Sequence, residues 1–152
     1  MDNNDYTKLE AGRILAIDYG LKRVGLAVSN IERSISFPLE TVSENEAIPF
    51  IEKYIEKTAV AAFIIGLPLT LKGEESDFTI HVKKFSNQLS KKFQSIPIDY
   101  IDERFTSKIA SQIVLNLNLT KTARQDKKRL DNISAALILQ SWLDRHSKYI
   151  TK

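Results

Sequence analysis

The sequence contains no cysteine among its 152 residues. This excludes disulfide bonds, a thiol nucleophile and cysteine-ligated zinc or iron–sulfur centres. Histidine is also scarce, because only His81 and His146 are present. We therefore expect neither a histidine-rich metal site nor a serine–histidine–aspartate triad, and any bound metal is expected to be a hard cation held by carboxylates.

Long apolar runs are missing as well. None approaches the ~20 residues of a membrane-spanning helix, and the polar segment 1–12 has neither the basic start nor the apolar middle of a secretory signal. Hydrophobic residues make up 43% and charged residues 27% of the chain, which is typical of a globular protein. We expect a cytoplasmic protein with a flexible tail over 1–12 and one domain over 13–150.

Short apolar runs and helical periodicity alternate along the chain. The runs predict strands over 13–19, 24–29, 35–42, 60–67 and 96–101. Apolar residues three and four positions apart predict helices over 45–57, 74–93, 105–117 and 131–145. The stretch 118–129 is polar, basic and aperiodic, and it is interpreted as a mobile loop.

The connections predict an α/β fold. The short turn after the first strand favours an antiparallel hairpin, and the later alternation of strands and helices predicts parallel pairing with crossover helices. Pro38 lies inside the third predicted strand, which predicts a sheet edge or a bulge there.

Acidic residues fall where three of these elements begin or end. Asp18 ends the first apolar strand, where a charge is costly unless it is paired or bound to a metal. Asp102 and Glu103 follow the fifth strand and face opposite ways, so one of them is expected to be the partner of Asp18. Asp131 begins the last predicted helix, in register with its apolar stripe. Helix capping or charge–dipole contacts are the structural alternative for Asp102, Glu103 and Asp131.

Three carboxylates that converge repel one another unless divalent cations neutralise them. Mg²⁺ and Mn²⁺ suit oxygen ligands and complete their coordination with waters and phosphate oxygens. A metal pair of this kind activates a water and stabilises the leaving oxygen of a phosphodiester. The pattern therefore favours metal-dependent phosphodiester hydrolysis.

Four sequence blocks carry a family resemblance. They are IDYGLKRVGLA over 17–27, GLPL from Gly66 with Gly73 and Ser76, DERFT from Asp102, and DNISAA from Asp131 followed by ILQ over 138–140. In this order they resemble the YqgF family, also called RuvX, whose members are Holliday-junction-resolvase-like proteins. The blocks span most of the chain, from 13 to 144.

The resemblance implies an RNase H-like fold, with a mixed five-stranded sheet flanked by helices. It implies trimming of the 5′ end of precursor 16S ribosomal RNA in the bacterial cytoplasm, with Mg²⁺ or Mn²⁺ on Asp18, Glu103 and Asp131 as the catalytic acids. Two positions depart from the family pattern, Asn30 in place of a frequent Asp and Ser107 in place of a frequent Thr.

Basic residues flank three of these blocks. They are expected to contact phosphates without reading sequence, and they are Lys22, Arg23, Arg104, Arg124, Lys127, Lys128 and Arg129. Tyr19 and Phe105 flank the acids and either stack on unpaired bases or belong to the core.

Several functions remain open from the sequence. A Holliday-junction resolvase would use the same residues in a two-fold dimer, so the chain is expected to be a monomer or a homodimer. A non-catalytic factor of ribosome assembly, in contact with ribosomal particles, would need the basic residues alone. An actin-like ATPase half is the least favoured reading, because the chain is too short for the two domains required.

Overall fold

The computed structural model describes residues 9–70, 72–102 and 123–146, with the backbone alone for 123–132. The predicted helix over 105–117 lies outside the described residues. The strands are β1 (Arg13–Asp18), β2 (Arg23–Ser29), β3 (Ser36–Ser43), β4 (Val60–Leu67) and β5 (Ile98–Asp102). The helices are α1 (Ala47–Lys57), preceded by a 3₁₀ turn (Glu44–Glu46), α2 (Asp77–Lys92) and α3 (Ala123–Arg145).

The strands form one mixed five-stranded sheet in the order β3-β2-β1-β4-β5. The β1–β2 hairpin is antiparallel, and β1 pairs with β4 and β4 with β5 in parallel. Both the predicted hairpin and the predicted parallel pairing are confirmed. β1 lies at the centre of the sheet, so its carboxyl end is enclosed by strands on both sides.

The prediction for Pro38 is also confirmed. β3 is an edge strand, and the register between β2 and β3 shifts where Ala27 pairs with Pro38. Proline cannot donate a ladder hydrogen bond, and an edge position with a local irregularity removes the need for one.

The two faces of the sheet carry separate cores. Leu15 and Ile17 point to the side packed by α1 and α2, which we call the α1–α2 face. Ile14 and Ala16 alternate with them and point to the side packed by α3, the α3 face. Large buried helical side chains on the α1–α2 face include Ile51, Phe85 and Leu89. Those on the α3 face include Ile138, Leu139 and Trp142.

The last helix is longer than predicted. It spans Ala123–Arg145, so residues 123–129, predicted as part of a loop, are helical. This segment has no glycine or proline and consists mainly of residues with good helix propensity. The prediction was wrong because it relied on apolar periodicity, which a basic segment does not show.

Within the described ranges, no helix is long and apolar enough to cross a membrane.

Candidate functional site

The carboxyl ends of the three parallel strands meet at one edge of the sheet. Ile17 of β1 pairs with Ile65 of β4, which in turn pairs with Tyr100 of β5. Two pairs further along, Leu67 of β4 is level with Asp102 of β5. Open α/β sheets bind ligands at this edge.

Asp18 is the last residue of β1 and is half-buried. It follows Ile17 and therefore lies on the α3 face, as Ile14 and Ala16 do. Its partner across the hairpin is Gly25. The strand pairing thus fixes a carboxylate on the α3 face at the carboxyl end of the central strand.

Arg23 occupies the same face. On β2, Val24 and Leu26 belong to the core of the α1–α2 face, whereas Ala27 belongs to that of the α3 face. Arg23 is two residues before Gly25 and four before Ala27, so it lies on the α3 face with them. It is the diagonal neighbour of Asp18 across the hairpin. Diagonal neighbours are about 7–8 Å apart, so the Arg23 guanidinium and the Asp18 carboxylate belong to the same end of the α3 face.

Asp102 lies on the opposite face from Asp18. The Tyr100 hydroxyl is 2.6 Å from Ser86 Oγ of α2, whereas Trp142 Nε1 of α3 donates to Asp99 Oδ2 at 2.8 Å. Alternation then places Asp102 with Tyr100 on the α1–α2 face. Asp102 and Asp18 are therefore separated by the sheet.

The remaining predicted site residues are placed less completely. Glu103 and Arg104 lie outside the described residues. Asp131 falls on α3 one helical turn before the buried Ala135, and only its backbone is described. The basic residues Arg124, Lys127, Lys128 and Arg129 also lie on α3, again with their backbone alone. Within the part of the chain described with side chains, no three His, Cys, Asp or Glu residues cluster.

The turn that follows Asp18 is held by Glu44. Its backbone N–H donates to the Lys22 carbonyl at 3.0 Å, and its Oε2 accepts from the Tyr19 hydroxyl at 3.1 Å. Gly20 is required here, because a Cβ would lie 2.5 Å from the Arg23 carbonyl oxygen. Sequence reasoning missed Glu44, since an acid before a helix reads as an ordinary first-turn residue. Lys22 itself is exposed in this turn.

Tyr19 belongs to the core. It is 8% exposed and its ring lies 4.9 Å from that of Phe85. Burial, followed by the bond to Glu44 and the charge of that residue, raises the pKa of Tyr19 to about 12. The core alternative therefore holds for Tyr19, and Phe105 lies outside the described residues.

The GLPL block continues into a loop that is fixed to α2. The Thr79 hydroxyl donates to the Pro68 carbonyl at 2.7 Å, and Ser76 and Thr79 form a capping box at the start of α2. Gly73 has φ of +83°, a conformation that favours glycine. Gly73 and Ser76 thus position the loop at the same edge of the sheet as Asp18.

The solved structure of Thermus thermophilus RuvC in complex with a Holliday junction substrate has the same fold. It matches 92% of this chain and 97% of its own with a TM-score of 0.55, at 13% identity. The protein is therefore of the α/β class, as the sequence pattern predicted, with the RNase H-like sheet that the family resemblance implied.

A family model places the chain more closely. The model described as RuvX, Holliday junction resolvase, matches residues 12–145. A relative from Porphyromonas gingivalis is 44% identical over 88% of this chain and 96% of its own length. One from Phocaeicola vulgatus is 46% identical over 91% and 99%. Both carry the name of a pre-16S rRNA nuclease. The chain belongs to the RuvX family, and the prediction of a nuclease, a hydrolase of phosphodiester bonds, is confirmed at the level of the family.

Proposed function

We propose that the protein is a divalent-metal-dependent nuclease that matures the 5′ end of precursor 16S ribosomal RNA in the bacterial cytoplasm. The observation that carries this is Asp18, a half-buried carboxylate on the α3 face at the carboxyl end of the central strand. The names of the close relatives supply the substrate. Glu103 and Asp131 complete the proposed set of acids.

The two faces of β5 support the choice of Glu103 as the second acid. Asp102 lies on the α1–α2 face, with Tyr100, and cannot share a ligand with Asp18 through the sheet. Glu103 is the next residue in the sequence. The alternation of the described part of β5 thus favours Glu103 over Asp102.

The donor set suits a hard cation. Asp18 offers carboxylate oxygens, and the sequence offers two further acids but no thiolate and almost no imidazole. Oxygen donors of this kind are the ligands of Mg²⁺ and Mn²⁺. When bound, the cations supply an activated water and charge stabilisation at the phosphodiester. The role of Asp18 is to hold them against the end of β1.

The cationic residues orient the nucleic acid. Arg23 shares the face of Asp18, and Lys22 is exposed in the adjoining turn. The helical position of Arg124, Lys127, Lys128 and Arg129 spaces four cations over less than two turns of α3. Contacts from such residues to phosphates fix the strand without reading bases.

Cleavage of a four-way DNA junction is the second candidate, favoured by the description of the family model and by the RuvC fold. Both activities would use the same acids. The first candidate, maturation of ribosomal RNA, would involve contact with ribosomal particles. The second, junction cleavage, would require a homodimer, because paired cuts need two active sites. A non-catalytic assembly factor would retain binding after the acids are replaced.

A cleavage assay separates these functions. Precursor 16S RNA and a four-way DNA junction are incubated with the full chain in Mg²⁺, in Mn²⁺ and with chelator. We expect metal-dependent cleavage of the RNA, lost in Asp18→Asn and retained in the matched variant Asp102→Asn. Faster cleavage of the junction would favour the resolvase, and equal binding without any cleavage would favour the assembly factor.

A further inference from the structure

Asp18 lies between two positions that have no side chain. Gly25 is its direct partner on β2. On the other side, the register of Ile17 with Ile65 places Gly66 of β4 next to Asp18. Gly66 follows Ile65, a residue of the α1–α2 core, and so lies on the α3 face. The row across the α3 face at this level is Gly25, Asp18, Gly66 and Ile101.

The backbone does not require glycine at either position. Among the described glycines, positive φ angles occur at Gly12 and Gly73, so Gly25 and Gly66 have ordinary strand angles. Both are buried inside strands. Glycine in a strand interior weakens the strand, and it often marks a place where a ligand approaches the backbone closely. What glycine provides at these two positions is therefore the absence of a side chain on the α3 face.

The preceding row on the same face shows the contrast. Ala16 pairs with Ala27 and Ile64, and these side chains are buried in the α3 core. Side chains of the strands fill the face up to that row, and on the two strands paired with β1 the positions beside Asp18 are glycine. Directly paired residues have Cβ atoms about 4.5–5.5 Å apart, so a methyl group on either side would enter the first shell of waters around an ion on Asp18.

We infer that Gly25 and Gly66 are positioning residues that keep room for a hydrated divalent cation on the two sides of the Asp18 carboxylate. This inference rests on the proposed function, because it takes Asp18 as a metal ligand. It goes further because it assigns the two glycines a role in metal binding. Their backbone angles do not explain why these positions are glycine.

Mn²⁺ binding to the full chain, without nucleic acid, tests the inference. Free Mn²⁺ is followed by electron paramagnetic resonance for the unaltered protein, Gly25→Ala and Gly66→Ala. The matched control is Val42→Ile, which adds one methyl group at the same end of the sheet, on a side chain packed against the α1–α2 core. Melting temperatures are measured on the same samples.

We expect each alanine variant to bind Mn²⁺ about 10- to 100-fold more weakly, the range seen when groups around metal ligands are altered. Its melting temperature should fall no further than that of Val42→Ile. Unchanged Mn²⁺ affinity overturns the inference. A larger fall in melting temperature also overturns it, because the glycines then serve the packing of α3 on the sheet.

Asp18→Asn separates the proposed metal site from the role of the two glycines. If it binds Mn²⁺ as well as the unaltered protein, the metal site of the proposed function fails, and the inference fails with it. If Asp18→Asn loses Mn²⁺ while both alanine variants retain it, the proposed function stands and the role of the glycines alone is refuted.

Discussion

The two ends of the sheet use polar residues differently. At the amino end of β1, polar groups bond to the backbone of neighbouring segments. Arg13 Nη1 donates to the Ser29 carbonyl at 2.9 Å, the Ile14 N–H donates to Ser29 Oγ at 2.9 Å, and Arg33 Nε donates to the Gly12 carbonyl at 2.9 Å. These bonds join β1, β2 and the turn after β2. They satisfy backbone groups that would be costly to leave unpaired.

At the carboxyl end, the polar residues are those of the proposed site instead. Asp18 and Arg23 share the α3 face, Asp102 lies on the other face, and glycines stand on both sides of Asp18. The turn itself is held from outside by Glu44. The polar bonds at the amino end secure the sheet, whereas the carboxyl end carries the residues of the proposed site.

The largest effect expected from this comparison is at Asp18. Asp18→Asn keeps the shape of the side chain and removes the anionic oxygen that a hard cation requires. We expect cleavage to fall about a thousandfold, equivalent to several kcal/mol of charge stabilisation in the transition state. The cleavage rate at saturating substrate measures this, and circular dichroism checks the fold.

Asp102→Asn is the matched control, because Asp102 is level with the end of the same sheet but on the other face. We expect it to retain most of the activity, and Glu103→Gln to lose it. A greater loss in Asp102→Asn than in Glu103→Gln would show that the second acid acts from the α1–α2 face.

The second prediction concerns the basic segment of α3. Replacing Arg124, Lys127, Lys128 and Arg129 by glutamine removes up to four phosphate contacts. Each lost contact flattens the dependence of log affinity on log salt by roughly 0.7–0.9. Affinity should fall about equally for unrelated sequences. RNA binding is measured in a salt series with a metal that does not support cleavage.

The control for that series replaces four exposed lysines of α1 and α2, which are Lys53, Lys57, Lys84 and Lys91. These changes alter the net charge by the same amount, but they lie on α1 and α2 and not on the basic segment of α3. If both sets flatten the salt dependence equally, the basic segment is an ordinary solvated surface, and the substrate is held elsewhere.

The third prediction tests the amino end. Gly12 has φ of +141°, and a Cβ there would lie 2.9 Å from the Ala59 carbonyl oxygen. Gly12→Ala should therefore lower the free energy of unfolding by about 1–3 kcal/mol, the usual cost of such backbone strain. Urea unfolding measures this, with Ala11→Ser as the control at the exposed neighbouring residue. The cleavage rate of the folded fraction should not change, and a large loss of cleavage would show that the two ends are coupled.

Part of the difference between the two ends of the sheet was predictable from the sequence. A continuous apolar run located β4 at its observed bounds, 60–67, because such a run between turn residues has few alternatives. The sequence also singles out Asp18 as a candidate site residue, because a charge at the end of such a run is unusual. The α3 extension over 123–129 was not predicted, since its helical propensity carries no apolar stripe.

The turn after Asp18 shows a different limit of sequence reasoning. Glu44 lies 22 residues from Lys22 and 25 from Tyr19 along the chain, so no local pattern relates them. The packing of β3 beside β2 brings them together. The facing of Asp102 likewise depended on which helix Tyr100 and Asp99 contact, which only the folded chain shows.

The smallest expected effect is on the Tyr19–Glu44 contact that anchors the carboxyl end. Because the pKa of Tyr19 is raised to about 12 in the folded protein, its neutral form is favoured by folding. The contribution to stability is fully present below the unfolded pKa of about 10 and is lost as the pH rises through about 12. The free energy of unfolding, compared between the unaltered protein and Tyr19→Phe from pH 8 to 12, isolates this residue from the other four tyrosines.

At pH 8 the variant should be less stable by about 1 kcal/mol, the value of one hydrogen bond. Towards pH 12 the unaltered protein should lose about 2 kcal/mol relative to the variant, at about 1.4 kcal/mol per pKa unit, so that the difference reverses. A difference that stays constant across this range would show that Tyr19 ionises as readily in the folded protein as in the unfolded chain. The turn after Asp18 would then be held by the Glu44 backbone bond to Lys22 and by the packing of the Tyr19 ring against Phe85.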